Sequence, residues 1–227
     1  MGDRAAALFD VDGTLVDSTY LHTVTWWEAL RQYGHEVPAH RVHRAVGLGT
    51  GPLLDHLLGE GRDRSDDDAM DAAHQALYTA LWPALRPLPG ARELVRACAD
   101  RGWTVVLATS ASAREVARLR EVLDVDDAIA HHLDADSVEA AKPAPDLVHR
   151  SLEAAGAPPE RAVLVGDTAW DVDAAAKAGV PCVAVTTGGW ARTELHEAGA
   201  AAVYRNAADL LESLDASLLS DPFPQPA

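Results

Sequence analysis

The sequence predicts an α/β fold in which an all-helical block interrupts a parallel sheet just after its first strand. Three observations support this prediction. Residues 5–9 form an apolar run that is typical of a strand and ends at Asp10. Between Ser18 and Pro83 the pattern is helical and contains no strand segment. From Ala91 onward, helical and strand-like segments alternate, which favours a parallel sheet with right-handed crossovers.

The block between Ser18 and Pro83 contains four predicted helices. Leu21, Val24 and Trp27 recur near helical spacing, and Gly34 is expected to end the first helix. The last helix begins at Ser65 with three aspartates, which suit the positive end of a helix dipole. The predicted helices are residues 20–33, 39–46, 52–58 and 65–81.

The rest of the chain predicts four more helices and four strands, and together these elements suggest a division into domains. The helices are residues 91–101, 113–123, 146–155 and 172–178, and the strands are 103–109, 128–131, 162–166 and 182–185. The Pro- and Gly-rich stretch 86–90 is typical of a linker. We therefore expect residues 1–17 and 87–220 to form a core, residues 18–86 a helical cap, and residues 221–227 a loose tail.

Charge and composition exclude several classes of function. The chain of 227 residues has 19 basic and 35 acidic residues, a formal net charge of −16, which disfavours nucleic-acid binding and docking on an anionic membrane. It shows no signal peptide and no stretch near the ~20 apolar residues of a membrane helix. Cys98 and Cys182 form no CxxC pair and fit a reducing cytosol. We expect a cytoplasmic monomer or weak dimer.

Polar residues follow the predicted strands at the point where each strand ends. They are Asp10 and Asp12 after the first strand, Thr109 and Ser110 after the second, Asp167 and Asp171 after a later one, and Lys142 between these. Ligands bind at the carboxyl ends of strands in an open α/β sheet. Gly13 allows the chain to turn sharply away from the two acids. The sequence thus predicts four carboxylates, a hydroxyl and an ammonium at one sheet edge.

This set of groups suits phosphoryl transfer. Mg²⁺ commonly binds one or two carboxylates together with waters and a substrate phosphate. Asp10 could serve as the nucleophile, since aspartyl-phosphate formation is an established covalent route. Asp12 could donate a proton to the leaving alkoxide and later take one from water. Thr109 and Lys142 would hold the phosphoryl oxygens, and Lys142 would also keep Asp10 ionised.

The order and spacing of these residues resemble the four motifs of the haloacid dehalogenase (HAD) superfamily. Asp10-Val11-Asp12-Gly13-Thr14 resembles the first motif, Thr109 the second, Lys142 the third, and Gly166-Asp167 with Asp171 the fourth. The resemblance covers residues 4–210 and is nearest to the phosphoglycolate phosphatase and β-phosphoglucomutase-like branch. It implies a Rossmann-like core with a helical cap inserted after the first strand. It also implies Mg²⁺ held by Asp10, the backbone carbonyl of Asp12, and Asp167, with Asp171 in support.

Contacts from the cap to the substrate are harder to predict. In β-phosphoglucomutase-like proteins a histidine near the position of His22 couples cap closure to chemistry, but a locally satisfied helix histidine is an equal alternative. Further candidates are Trp26, Arg44, Thr50 and Ser110. Thr109 and Ser110 could instead cap the next helix. Asp171 could be a helix first-turn acid, and Lys142 an exposed loop lysine.

The sequence therefore predicts a Mg²⁺-dependent phosphatase that acts on a small phosphomonoester of sugar-phosphate or phosphoglycolate type. A sugar-phosphate mutase is the alternative, but it needs a basic cap residue, and Thr50 stands where the mutase-like loop carries an arginine. A dehalogenase would share the nucleophile Asp10 but needs neither Asp12 nor Mg²⁺. A binding module without turnover is disfavoured because every polar position of the motifs is present.

Overall fold

In the computed structural model, which describes residues 4–138 and 140–222, six parallel strands form one sheet. The strands are β1 (Ala6–Phe9), β2 (Thr104–Ala108), β3 (His131–Leu133), β4 (Ala162–Gly166), β5 (Cys182–Val185) and β6 (Ala202–Tyr204). Their order is β3-β2-β1-β4-β5-β6. The chain order reverses between β1 and β4, and the crevice beyond the carboxyl ends of such strands is where ligands bind.

Helices cover both faces of this sheet, and five α-helices stand between β1 and β2 in the chain. The helices are α1 (Thr19–Gln32), α2 (Ala39–Ala45), α3 (Thr50–Leu58), α4 (Asp67–Leu81), α5 (Ala91–Asp100), α6 (Ala113–Leu123), α7 (Asp146–Ala155), α8 (Ala169–Lys177), α9 (Arg192–Glu197) and α10 (Ala207–Glu212). Alternate residues of β1 enter different cores, Ala7 and Phe9 on one face and Ala6 and Leu8 on the other. This two-residue period explains why a strand buried on both faces is apolar throughout.

Helices α1–α4 pack around a hydrophobic cluster of their own. Its buried members include Trp26, Leu30, Val42, Leu53 and Met70. The chain enters and leaves this helical block through two backbone segments that lie side by side, residues 15–17 and 86–88. The amide of Asp17 donates to the carbonyl of Arg86 (2.9 Å), and the amide of Leu88 donates to the carbonyl of Leu15 (2.8 Å). The predicted division into a core and a cap at residues 18–86 stays a prediction.

Four predicted elements differ from the structure by two residues or more, and one of them is helix α4, which begins at Asp67 rather than 65. The strand predicted at 128–131 is wrong: residues Asp126–Ala128 form a 3₁₀ turn, and β3 begins at His131, where pairing with Val106 starts. Helix α8 begins at Ala169 rather than 172, because Thr168 caps it. Helix α3 begins at Thr50, so the Gly-rich loop is shorter than predicted. Strand β6 and helices α9 and α10 were not predicted from the sequence.

The remaining structural predictions concern the cysteines, membrane helices and the tail. Cys98 and Cys182 are both buried, and neither forms a disulfide. Among the helices that the structure describes, none has the length and apolar character needed to cross a membrane. Most of the predicted tail, residues 223–227, lies outside the described residues.

Candidate active site

Asp10 stands directly after β1 at the carboxyl edge of the sheet. Its amide donates to the carbonyl of Val165 (2.9 Å), so the pairing with β4 continues one residue beyond the strand. Gly13 then turns the chain with a φ of 77°, a conformation that favours glycine. A Cβ atom at Gly13 would overlap the side chains of Thr19 and Asp167. The turn therefore needs glycine for its conformation and for the close approach of Asp167.

Lys142 lies beneath this turn and is only 2% exposed. Its Nζ is 2.5 Å from Asp10 Oδ1 and 2.7 Å from Asp171 Oδ1, so one ammonium neutralises two carboxylates. Burial alone would lower the pKa of Lys142, but these two anions outweigh it and raise the pKa above its usual value. The alternative of an exposed loop lysine is wrong, because the 142–145 turn brings this side chain under the sheet edge.

Negative charge nevertheless exceeds positive charge around Asp10. Burial raises its pKa to about 7; Lys142 opposes that rise, while Asp171 and Asp12 add to it. A single lysine is thus insufficient to keep Asp10 fully ionised at neutral pH. A further cation beside Asp10 would complete the charge balance.

Asp167 supplies independent evidence for that cation. Its Oδ1 accepts a hydrogen bond from Thr14 Oγ1 (2.8 Å), whereas its Oδ2 is buried and has no hydrogen-bond partner among the described residues. Burial, together with Asp10 and Asp171, raises its pKa well above the usual value. Oxygen atoms of Asp10, Asp167 and Asp171 lie within 4.8 Å of one another. An orphaned carboxylate oxygen in such a cluster fits a hard divalent ion.

Asp171 contacts the cluster mainly as a support. Its Oδ2 accepts hydrogen bonds from Thr168 Oγ1 (2.6 Å) and from the Thr168 amide (3.1 Å), while its Oδ1 pairs with Lys142. The residue is also the third residue of α8, where it completes a capping box with Thr168. Asp171 is therefore an acid in the first turn of α8 and, through the same side chain, a partner of Lys142 in the cluster.

Asp12 faces a different set of partners from Asp10. Its carboxylate accepts from Ser18 Oγ (2.6 Å) and Thr109 Oγ1 (3.2 Å), and it pairs with His22 Nε2 (3.3 Å). Burial alone would raise the pKa of Asp12, but the hydrogen bonds and the charge of His22 hold it below its usual value. The two acids thus pair with separate side-chain cations, Asp10 with Lys142 and Asp12 with His22.

His22 lies between Asp12 and Glu115, an acid that the sequence analysis missed. His22 Nε2 is 3.2 Å from Glu115 Oε1, and the Glu115 side chain is only 12% exposed. Burial would lower the pKa of His22, but hydrogen bonds and charge from the two carboxylates raise it to about 10. The sequence pattern offers one indication of Glu115, because this acid follows the N-cap Ser112 by three residues and lies in the first turn of α6. The alternative of a locally satisfied helix histidine is wrong, since His22 contacts the core.

The other ring nitrogen of His22 connects it to a second histidine. His22 Nδ1 lies 3.4 Å from His74 Nε2, and His74 Nδ1 lies 3.0 Å from Thr25 Oγ1. Burial and the charge of His22 lower the pKa of His74 well below its usual value, so His74 is neutral. A doubly protonated His22 can donate to both neighbours, and a neutral His74 can accept from His22 and donate to Thr25. Charge and tautomers are therefore mutually consistent.

Thr109 and Ser110 stand at the carboxyl end of β2, as predicted. Thr109 Oγ1 accepts from the amide of Ala111 (3.1 Å), and Ser110 Oγ is buried without a hydrogen-bond partner among the described residues. The suggestion that these residues cap the next helix is wrong. Ser112 is the N-cap of α6, and its hydroxyl accepts from the amide of Glu115.

A cavity of about 220 Å³ lies between the sheet edge and the helical block. Asp10, Asp12, Thr109 and Ser110 line it from the core side. Residues of the helical block that line it include His22, Trp26, Thr50, Leu53, Asp71, His74 and Gln75. Arg44 is not among the lining residues; it pairs with Glu194 and lies over the ring of Trp190.

Comparisons with known proteins agree with this geometry. A family model for a haloacid dehalogenase-like hydrolase matches residues 5–179. The chain is 33% identical over 235 residues to a phosphoglycolate phosphatase of Rhodospirillum rubrum, across 97% of this chain and 92% of that protein. A crystal structure of a hydrolase from Pseudomonas syringae matches with a TM-score of 0.89 and 31% identity, covering 94% of this chain and 99% of that one.

A more distant solved structure shares the fold alone. It is a beta-phosphoglucomutase from Clostridium difficile, with a TM-score of 0.78 at 19% identity, covering 91% of this chain and 93% of that one. The predicted α/β fold and the resemblance that implied it are confirmed by these similarities together.

Proposed function

We propose that this chain, which belongs to the haloacid dehalogenase-like hydrolase family, is a Mg²⁺-dependent phosphatase that forms an aspartyl-phosphate. Its substrate would be a small phosphomonoester. The observation that carries the proposal is the buried ammonium of Lys142 against Asp10, beside the orphaned oxygen of Asp167. Transfer of a phosphoryl group needs positive charge around the attacked phosphorus, and Lys142 together with a metal ion at Asp167 would supply it.

The residues present fit a divalent ion. Asp10, Asp167 and the backbone carbonyl of Asp12 would hold Mg²⁺, with Asp171 in support through Lys142. The ion would supply positive charge that neutralises the phosphoryl oxygens during transfer. The unpartnered Oδ2 of Asp167 is the feature of this chain that supports the assignment.

Asp10 would attack the phosphorus with the carboxylate oxygen that Lys142 does not hold. Lys142 Nζ contacts Oδ1, so Oδ2 is the oxygen left for attack. Thr109 and Ser110 line the cavity together with Asp10. The Ser110 hydroxyl would donate to a phosphoryl oxygen, and the Thr109 hydroxyl would do so by turning away from Asp12, to which it donates in this structure. The buried Ser110 Oγ has no hydrogen-bond partner among the described residues, so its proton would be available for a phosphoryl oxygen.

Asp12 would carry the proton to the leaving alkoxide. Its low pKa means that it is ionised at rest, so it needs a proton source during the reaction. His22, charged and 3.3 Å away, is placed to share its proton with Asp12, and Glu115 would stabilise the histidine charge. In the second step Asp12 would remove a proton from the water that hydrolyses the phosphoenzyme.

A phosphate-release screen tests the proposal. Purified protein would be incubated with sugar phosphates, 2-phosphoglycolate, nucleotides and p-nitrophenyl phosphate, with and without Mg²⁺. We expect release that requires Mg²⁺ and stops in EDTA. Silence across the panel with Mg²⁺ would contradict the proposal. Halide release from a 2-haloacid in EDTA would favour a dehalogenase instead.

A sugar-phosphate mutase is less well supported. Such an enzyme must hold the far phosphate of a bisphosphate, yet no lysine or arginine is among the described residues that line the cavity. Thr50, at the position where a basic residue was considered, donates to Asp71 (2.8 Å). Isomerisation of a hexose 1-phosphate without net phosphate release would reverse this preference.

A further inference from the structure

We infer that the cavity wall formed by Thr50, Asp71 and Gln75 selects substrates with a neutral hydroxyl group at the end far from the phosphate. Phosphomonoesters that carry a second anion there, such as a carboxylate or a second phosphate, are rejected. The inference rests on the proposed phosphatase activity and names its substrate class. The matched relative from Rhodospirillum rubrum is named a phosphoglycolate phosphatase, and phosphoglycolate carries such a second anion. This chain would therefore differ from that relative in its preferred substrate.

The distribution of positive charge around the cavity supports this selectivity. Lys142 is the lysine nearest the reaction centre, but it is buried behind Asp10 and is absent from the cavity lining. Arg44, from the helical block, is held by Glu194 on the surface. The described lining contains neither lysine nor arginine. A second anion on the substrate would therefore meet no side-chain cation of fixed charge.

The histidines do not compensate for this absence. His22 Nε2 already lies within 3.3 Å of two carboxylates of the protein, those of Asp12 and Glu115. Its Nδ1 contacts His74 Nε2, and His74 Nδ1 contacts Thr25 Oγ1. Neither ring nitrogen of either histidine is left unpaired for a substrate carboxylate.

The hydrogen-bonding capacity of the wall formed by Thr50, Asp71 and Gln75 also supports this selectivity. Asp71 accepts from Thr50 Oγ1 through Oδ1 (2.8 Å) and from Gln75 Nε2 through Oδ2 (2.6 Å). Each carboxylate oxygen has a further lone pair, so this wall offers mainly acceptors. A substrate hydroxyl can donate to such acceptors, whereas a carboxylate or phosphate oxygen cannot. Trp26 and Leu53 supply apolar surface beside them, which suits the carbon skeleton of a polyol.

Matched pairs of substrates test the inference directly. One pair is 2-hydroxyethyl phosphate and 2-phosphoglycolate, and the other is glycerol 1-phosphate and 3-phosphoglycerate. Within each pair the phosphate and chain length are the same, and a hydroxymethyl group replaces a carboxylate. We expect kcat/KM with Mg²⁺ to favour the hydroxyl member by about 100-fold, since placing like charges together is costly.

Asp71→Asn identifies the wall as the cause. The amide keeps the shape of the side chain and removes its charge, so the preference within each pair should narrow by about tenfold. Asp68→Asn is the matched control, because Asp68 lies on the same helix but is exposed and does not line the cavity. It should leave the ratio unchanged. Thermal melts would show that both variants fold.

The outcomes separate this inference from the proposed function. If p-nitrophenyl phosphate is hydrolysed but 2-phosphoglycolate reacts as well as its hydroxyl partner, the inference is wrong and the phosphatase stands. The inference also fails if Asp71→Asn and Asp68→Asn change the ratio equally, or if neither hydroxyl substrate reacts. If no phosphomonoester releases phosphate, p-nitrophenyl phosphate included, the proposed function fails first.

Discussion

At the sheet edge, the buried carboxylates of Asp10 and Asp171 contact one ammonium, and Asp167 lies beside them with an oxygen that has no hydrogen-bond partner among the described residues. Further along the cavity, His22 of the helical block lies between the carboxylates of Asp12 and Glu115. Carboxylates outnumber side-chain cations in both places, three to one at the sheet edge and two to one around His22. The difference is that the sheet edge has an oxygen left for a metal ion, whereas the carboxylates around His22 already lie in an ion pair with it. The sheet edge therefore needs an added cation before it can bind a phosphate, and the group around His22 does not.

The largest effect should follow from Asp10→Asn, which changes the sheet edge at its centre. An amide cannot form the phosphoenzyme, so phosphate release should fall by about 10⁴-fold or more. Steady-state assays with the best substrate of the screen would measure this. Asp173→Asn is the control, since this half-exposed residue on α8 pairs with Lys177 away from the cavity. Appreciable turnover in Asp10→Asn would remove the nucleophile assignment.

Lys142→Met should weaken the fold as well as the reaction. Removing one partner of a buried ion pair leaves uncompensated charge and costs about 3–5 kcal/mol of unfolding free energy. Urea titrations at pH 8 and pH 5 would measure this cost. It should be smaller at pH 5, because Asp10, whose pKa is already raised to about 7, takes up a proton there. An equal loss at both pH values would contradict the charge argument.

Added Mg²⁺ should stabilise the protein in a pH-dependent way. Burial raises the pKa of Asp10 to about 7 and also raises that of Asp167, so protons compete with the metal more strongly at pH 5 than at pH 8. Mg²⁺ at about 100 times its Kd at pH 8 should add about 2.7 kcal/mol, and less at pH 5. Melting temperatures with and without Mg²⁺ would record the difference. Asp167→Asn should abolish it; a shift retained in that variant would place the ion elsewhere.

Glu115→Gln should have the smallest effect and tests the group around His22. His22, with its pKa raised to about 10, contributes stability that is complete below its unfolded pKa of 6.5 and lost as the pH rises through 10. Without the Glu115 charge, the alkaline limbs of stability and of kcat should move to lower pH by about 1. Glu121→Gln, exposed on the same helix, should leave both limbs in place. Unmoved limbs in Glu115→Gln would exclude its role in holding the His22 charge.

Local patterns predicted the sheet edge well because each residue there follows its own strand. β1 is a continuous apolar run that ends at Asp10, and Thr109 and Asp167 follow β2 and β4 in the same way. Parallel pairing then brings these strand ends together without further information. β6 and α9 were missed because they are short, and the position of β3 was wrong because an edge strand carries little apolar pattern.

The group around His22 was less predictable because its contacts join distant parts of the chain. Glu115 has the sequence signature of an ordinary first-turn acid, and His74 that of a helix residue. Their approach to His22 depends on how α1 and α4 pack against each other and against α6. Arg44 was a candidate for a substrate contact, but the packing of α2 places its side chain against Glu194, outside the cavity lining.

The sequence by itself determined the strand ends, the glycine turn at Gly13 and the set of groups available for phosphoryl transfer. Those features depend on local periodicity and on backbone conformation, which a few neighbouring residues specify. The tertiary structure decided that Lys142 pairs with Asp10 while His22 pairs with Asp12. It also decided that Asp71 lines the cavity with Thr50 and Gln75 as its hydrogen-bond partners. Charge pairing acts over a few ångströms in space, so only the folded arrangement of distant segments specifies it.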